Sequence, residues 1–318
     1  MSDVSFPAIA PRLEGDLVTL VQLDASFFEA YFAAVNDPET KRLTATKKTF
    51  APVEVRDWLA TRPGSVGRLD WAILHAGEYV GEVVLNEFKS DKSSMNLRVA
   101  LAGSAVFGRG FGSEAIALAV ECGLETLGLS KITLEVLADN HRAIGAYEKV
   151  GFVAGRQFSE GKHRYLRMSI NKFDRLLALA ERKMAEHLDL QVWSFKWDNA
   201  KRRAGLCNYR DKTISISTYH AQVHTIDETL QVVLHEVAHA LSGKDAGHGK
   251  QWLATAKSIG YRAEKFTGKE IASEFAPWLG VCPRGHEHYR YRKPTRQLAC
   301  GLCDRGFSKA NLIEWRAR

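Results

Sequence analysis

The stretch VVLHEVAHALSGKDAGH, from Val232 to His248, constrains this chain more than any other. His235 and His239 are four apart, so on an α-helix both imidazoles project from one face with Glu236 beside them, while His248 lies beyond the helix end. Two histidines one turn apart can hold a d¹⁰ cation tetrahedrally with a third protein ligand, leaving the fourth position for water, whose pKa falls toward about 7. Glu236 then stands where a general base is needed, as in a zinc hydrolase. Val232, Val233, Leu234, Val237, Ala238, Ala240 and Leu241 surround these polar residues, an apolar setting that would be costly for them without a ligand. Thr225 and Glu228 are spaced as a capping box, which predicts a helix from near Ile226 to about Ser242, stopped by Gly243. The third ligand has to come from a neighbouring turn. His248 between Gly247 and Gly249 fits that need, with His220, His224 and Asp245 as weaker competitors.

At 318 residues the chain is long enough for two domains, each with its own core. It has no apolar run of about 18 residues, and its N-terminus MSDVSFPAIAPRLEGD lacks a basic region followed by an apolar core, so a cytoplasmic location is expected, with association with the nucleoid open to it. Charge divides the chain. Residues 1–172 carry 20 Lys and Arg against 21 Asp and Glu, and residues 173–318 carry 24 against 16. In residues 282–318 the ratio is 9 to 3, and Arg284, Arg290, Arg292, Lys293 and Arg296 are interleaved with His286, His288, Tyr289 and Tyr291, a mixture suited to phosphate backbones and stacked bases. Cys282, Cys300 and Cys303 cluster in the same segment. With His286 or His288 they make a closed tetrahedral zinc site of three thiolates and one imidazole, able to fold a short basic segment that has no core of its own.

The first half alternates strand and helix signals. LVTLVQLD (Leu17 to Asp24) reads as a strand, Ser26 to Asp37 as an amphipathic helix, and Pro52 to Ala60 as a second helix with its proline early. WAILHA, YVGEVVLNEF and MNLRVALA read as consecutive strands. In FGRGFGSEAIALAV, Gly108, Gly110 and Gly112 precede a helix expected to open at Ser113, so backbone N–H groups converge where a helix dipole favours an anion such as a pyrophosphate. A strand from Lys131 to Leu137 and a short helix carrying Asn140, Arg142, Ala143 and Tyr147 follow, with Gly151 and Phe152 opening another strand.

These segments resemble the GNAT acetyltransferases, over nearly all of residues 12–170. The resemblance implies a mixed central sheet with flanking helices and a pyrophosphate of acetyl-CoA cradled by Phe107, Gly108, Arg109, Gly110, Phe111, Gly112 and Ser113. It places Asn140 near the pantetheine arm and Tyr147 where the departing thiolate is protonated. Many members have Gln or Arg where Phe107 stands, so one side-chain contact to the phosphates is expected to be missing. The general base is open: Glu82, Glu87 and Asn86 are candidates only as polar residues near central strands, and an ordinary surface role is the expectation for each.

The second half resembles the SprT-like metalloproteases. The RRAGLCNY and ISIS block, the LHEVAHAL helix, the GHGKQW turn and a C-terminal zinc ribbon come in the family's order over roughly residues 190–306. The resemblance implies catalytic zinc on His235, His239 and His248, Glu236 as general base, and proteolysis of proteins bound to DNA. The expected architecture is an α+β two-domain chain: a GNAT domain (1–172), a zincin-like SprT domain (173–278) beginning in the helical segment Phe173 to Leu190, and a basic ribbon and tail (279–318). The expected function combines acetyl-CoA-dependent N-acetyl transfer with zinc-dependent proteolysis of DNA-associated proteins. The alternative is N-acetyl transfer alone, to a protein or nucleic-acid amine, with the zinc region as a DNA-binding module.

Overall fold

The computed structural model describes residues 6–89, 91, 93–262, 276–290, 292–304 and 306–318, so Tyr291 and residues 263–275 of the expected SprT domain lie outside the described residues. The chain divides into two compact units, residues 1–179 and 180–318.

In the first unit the strands are β1 (Leu13–Glu14), β2 (Thr19–Gln22), β3 (Leu69–His75), β4 (Glu78–Asn86), β5 (Ser94–Leu101), β6 (Lys131–Leu137), β7 (Val153–Glu160) and β8 (His163–Ile170). They form one mixed sheet in the order β1-β2-β3-β4-β5-β6-β8-β7. The helices are α1 (Phe28–Asn36), α2 (Pro38–Leu43), α3 (Pro52–Ala60), α4 (Phe111–Glu121), α5 (His141–Val150) and α6 (Lys172–Ala185). Strand alternation assigns the sheet's two faces. Trp71 and Ile73 of β3 pack with Phe111, Ala115, Ile116 and Ala119 of α4, whereas Ala72 between them packs with Tyr31, Val55 and Leu59 of α1 and α3.

Two departures from the sequence expectation have local causes. The segment expected as one helix from Ser26 to Asp37 starts with a 3₁₀ turn capped by Asp24 and ends where Asp37, extended at ψ 130°, caps α2 and feeds Pro38 into its first turn. α4 opens at Phe111 rather than Ser113, because Gly110 adopts φ +85° and serves as its N-cap.

β5 and β6 pair in parallel only from Ser94↔Lys131 to Asn96↔Thr133, although β5 pairs with β4 as far as Leu101. The two central strands therefore part at their C-terminal halves. Between Ile73 and Leu74 the β3–β4 register slips at a bulge, which bends β4 just ahead of Glu82. Gly81 makes this bend feasible, since a Cβ there would lie 2.4 Å from the Ala100 carbonyl oxygen.

The division between units falls within α6. Arg175, buried near its start, donates to Glu121 (2.7 Å) and to the Val150 carbonyl (2.9 Å), while Ala180 and Met184 join the core of the second unit. That unit contains β9 (Ser194–Asp198), β10 (Gly205–Asn208), β11 (Thr213–Ser217), α7 (Thr218–Val223), α8 (Ile226–Ser242) and α9 (Lys250–Ser258), with the sheet order β10-β11-β9. TISIS in β11 alternates like a half-exposed strand, yet all five residues are buried. Ser215 donates to Asp198 (2.6 Å) and Ser217 to the Ala200 carbonyl (2.6 Å), which removes the cost of burying their hydroxyls. α8 has the expected bounds and its capping box, with the Thr225 amide 2.8 Å from the Glu228 carboxylate and the Glu228 amide 3.2 Å from the Thr225 hydroxyl. A last sheet joins β12 (Trp278–Val281) to β13 (Glu287–Arg290) and β14 (Glu314–Ala317) on its two sides. Among the described residues no helix is long and apolar enough to cross a membrane.

Candidate functional site

His235 and His239 of α8 and His248 beyond it point their Nε2 atoms at one another, at 3.0 Å (235–248), 3.0 Å (239–248) and 3.2 Å (235–239). Hydrogen bonding alone cannot satisfy this triangle. Each ring nitrogen is either an N–H or a lone pair, so among three mutual neighbours at least one pair has the same role. A cation receiving three lone pairs resolves the conflict, and a tetrahedral zinc with bonds of about 2.0–2.1 Å requires edges of about 3.3–3.4 Å, close to those found. Burial, then the neighbouring His239 and His248, lowers the His235 pKa to about 4, so a neutral ligand is available at neutral pH. Gly247, at φ +49° and ψ −133°, makes the turn that brings His248 back to the helix. The weaker candidates lie elsewhere: His220 and His224 stack on each other with centroids 4.1 Å apart, and His224 sits 3.4 Å from the Glu228 carboxylate. Among the described residues, Asp245 is not part of the histidine cluster.

Two residues without an assigned role in the sequence reading shape this site. Gly205 of β10 lies so close to α8 that a Cβ there would be 2.8 Å from Glu236 Cγ and Oε1 and 2.9 Å from Val232 Cγ1. The Tyr209 hydroxyl donates to the His239 carbonyl (3.2 Å). Both belong to the RRAGLCNY block, whose signal was its position in order; only the folded sheet shows that it lies against the histidine helix. Buried Trp252 of α9 backs all three imidazoles, with ring centroids 4.7, 5.3 and 4.8 Å from His235, His239 and His248.

A second cluster joins Cys282, His286, Cys300 and Cys303, whose ligand atoms lie within 4.8 Å of one another. Cys282 and Cys303 Sγ are 3.6 Å apart, close to the edge of a tetrahedral zinc–thiolate site with about 2.3 Å bonds. His288, the other histidine considered, stands outside the four and contacts Cys300 Sγ through Nε2 at 3.2 Å. Around this cluster Arg290 sits over Trp315, Lys293 over Trp278 and Arg318 over Tyr289, at 5.8, 5.3 and 5.5 Å.

In the first unit, the parting of β5 from β6 opens a cavity of about 730 Å³. All of Phe107 to Ser113 line it, together with Asn140 and Tyr147. Asn140 also caps α5, accepting from the Ala143 amide (3.2 Å). Tyr147 is both core and wall: its ring packs edge-on against Phe152 with centroids 5.7 Å apart, and burial raises its phenol pKa to about 12. Arg142 of α5 lies 3.8 Å over the Phe107 ring and Arg109 lies 4.7 Å over Phe111, which places two guanidinium groups beside the glycine turn.

Glu82 corrects the expectation of a surface role. It lines the cavity, and its Oε2 is buried with no hydrogen-bond partner among the described residues. Burial raises its pKa to about 7, opposed by Arg98 and Arg68 and reinforced by the Asp70 charge. The buried phenols of Tyr31 and Tyr79 stay neutral beside it, their pKa values raised chiefly by burial. Glu87, by contrast, is exposed, and Asn86 accepts from Asn96 across the strands (2.9 Å).

The sequence model of the acetyltransferase (GNAT) domain matches residues 18–153, and that of the SprT-like family matches residues 173–272. No curated protein matches the chain. Among solved structures, a GNAT-family acetyltransferase from Bacillus anthracis is 15% identical, covering 51% of this chain and 98% of its own, with a TM-score of 0.46. Spermidine N-acetyltransferase from Vibrio cholerae, in complex with CoA and spermine, is 21% identical over 51% of this chain and 99% of its own (TM-score 0.47). The aminoglycoside acetyltransferase AAC(6')-Ib, in complex with coenzyme A, is 18% identical over 49% and 96% (TM-score 0.43). With the glycine turn and Tyr147 inside the first match and the histidine helix inside the second, residues 18–153 are a GNAT acetyltransferase domain and residues 173–272 a SprT-like domain.

Proposed function

We propose that this chain is a bifunctional enzyme: an acetyl-CoA-dependent N-acetyltransferase joined to a zinc-dependent protease that acts on DNA-associated proteins. For the transferase, the observation that carries the reading is that Glu82, Tyr147 and the glycine turn line one cavity. The amides of residues 107–113, with Arg109 and Arg142, hold the pyrophosphate, and Asn140 stands near the pantetheine arm. Glu82 takes the proton from the acceptor amine as its nitrogen attacks the acetyl carbonyl. As the carbon–sulfur bond breaks, Tyr147 gives its proton to the departing thiolate.

For the protease, the carrying observation is the triangle of imidazole nitrogens beside Glu236. His235, His239 and His248 would hold zinc, which when bound supplies a Lewis acid that polarises a peptide carbonyl and acidifies water. Glu236 accepts the proton of the attacking water and returns it to the leaving amine. Cys282, His286, Cys300 and Cys303 would hold a second, structural zinc that fixes the basic and aromatic side chains of the ribbon for DNA. The test is direct. Purified protein is expected to contain about two zinc ions, to bind acetyl-CoA, and to degrade a DNA-bound protein in a manner lost in Glu236→Gln. Metal-free protein, or proteolysis indifferent to that substitution, overturns the protease half. A Glu236→Gln protein that retains full biological activity points instead to acetyl transfer alone.

A further inference from the structure

Two groups of opposite charge line the transferase cavity from the adjacent strands β4 and β5. Glu82 Oε2 is one. The other is Arg98 of β5, an exposed residue that lines the same cavity and whose side chain is in no ion pair among the described residues. Register sets their spacing. Glu82 pairs with Ala100 and Val84 with Arg98, so Glu82 and Arg98 are diagonal neighbours on one face of the β4–β5 ladder, about 7 Å apart at Cβ for such pairs. Their charges feel each other, yet no direct ion pair closes the gap. Tyr31, Val35, Leu43 and Phe50, apolar or neutral, line the same cavity.

Of the two carboxylates that line the cavity among the described residues, Glu135 is already paired with Arg167 at 2.5 Å, which leaves Glu82 for an acceptor. With Arg109 and Arg142 assigned to the pyrophosphate, Arg98 and Lys149 are the remaining Lys and Arg side chains on the cavity wall. A polycation would meet one open carboxylate and these two like charges, an arrangement that does not favour it. A molecule bearing both an amine and a nearby carboxylate would answer both open groups at once.

We propose that the acetyl acceptor is an amino-carboxylate, its nitrogen delivered to Glu82 and its carboxylate to Arg98. This rests on the transferase reading above. The carboxylate could belong to a free amino acid or to an acidic residue at a peptide N-terminus; both offer the same chemistry to Arg98.

Thiol release from acetyl-CoA, measured with the full-length protein, tests this. One arm pairs each common L-amino acid with its amide, a second pairs peptides beginning with Asp or Glu with those beginning with Asn or Gln, and a third uses spermidine. We expect kcat/KM to favour the acid by about 10-fold or more in the first or second arm, carried by KM, and the Arg98→Leu variant to bring that ratio toward one. The arm that shows the preference identifies the source of the carboxylate. The wild-type ratio stands as a test even where the variant does not fold. Preference for amides or for spermidine overturns the inference and leaves the transferase reading intact. So does acetyl-CoA binding, seen by calorimetry, without turnover of any acid in either arm. Failure to bind acetyl-CoA overturns the transferase reading itself.

Discussion

The two candidate sites are built in opposite ways. In the second unit the three histidines and Glu236 come from 14 consecutive residues, His235 to His248: one helix supplies three of the four, and a glycine-flanked turn returns the last. In the first unit Glu82, Phe107 to Ser113 and Tyr147 come from a strand, a turn with its helix, and a second helix, and meet only because β5 and β6 part. A local site is robust to how the rest of the chain packs. A dispersed site owes its chemistry to packing, so the sharpest perturbations should differ between the two.

The largest effect is expected at Glu236. Glu236→Gln removes the base from the local site and should lower proteolysis by about 10³-fold or more, while zinc content measured by atomic emission stays that of the wild type. Loss of zinc together with activity would show that Glu236 holds the site together instead.

Next in size, Glu82→Gln should lower acetyl transfer by about 10²-fold. Because burial raises this carboxyl to about 7 and the base must be ionised, the wild-type rate should climb with pH up to about 7 and then level. The variant should lack that rising limb. A limb that survives the substitution would move the base elsewhere.

Gly205→Ala tests how far the local site depends on its neighbour strand. A Cβ 2.8 Å from Glu236 Cγ must displace that side chain or β10, so proteolysis should fall by about 10-fold or more, a misplacement effect. Zinc should remain, because the three atoms nearest the new Cβ belong to Glu236 and Val232 rather than to a histidine. The smallest effect is expected from Thr225→Ala, which removes the cap of α8 and should cost about 1 kcal/mol in denaturant unfolding.

What could be read without coordinates follows the same division. The bounds of α8, its capping box and the meeting of His235 with His239 depend on helix periodicity and cap chemistry, which act within a few residues. The glycine turn before α4 was legible too, although its helix starts two residues early because Gly110 could take the left-handed conformation. Glu82 was legible only as one of three polar candidates, with a surface role expected. Nothing nearby in sequence tells that its carboxyl is buried, that Tyr31 lies beside it, or that Arg98 reaches the same cavity. Likewise Arg142, which faces Phe107, is separated from it by α4 and β6.

Groupings carried by short-range spacing were therefore settled by the amino-acid order: a histidine pair with a carboxylate between, a glycine turn before a helix, three cysteines near a histidine. The choice of His286 over His288 in the cysteine cluster, the closeness of Gly205 to Glu236, and the raised pKa of Glu82 were settled by packing. The reason is physical. Backbone periodicity and caps are local forces, whereas burial, and the electrostatics that burial strengthens, depend on every element that covers a group.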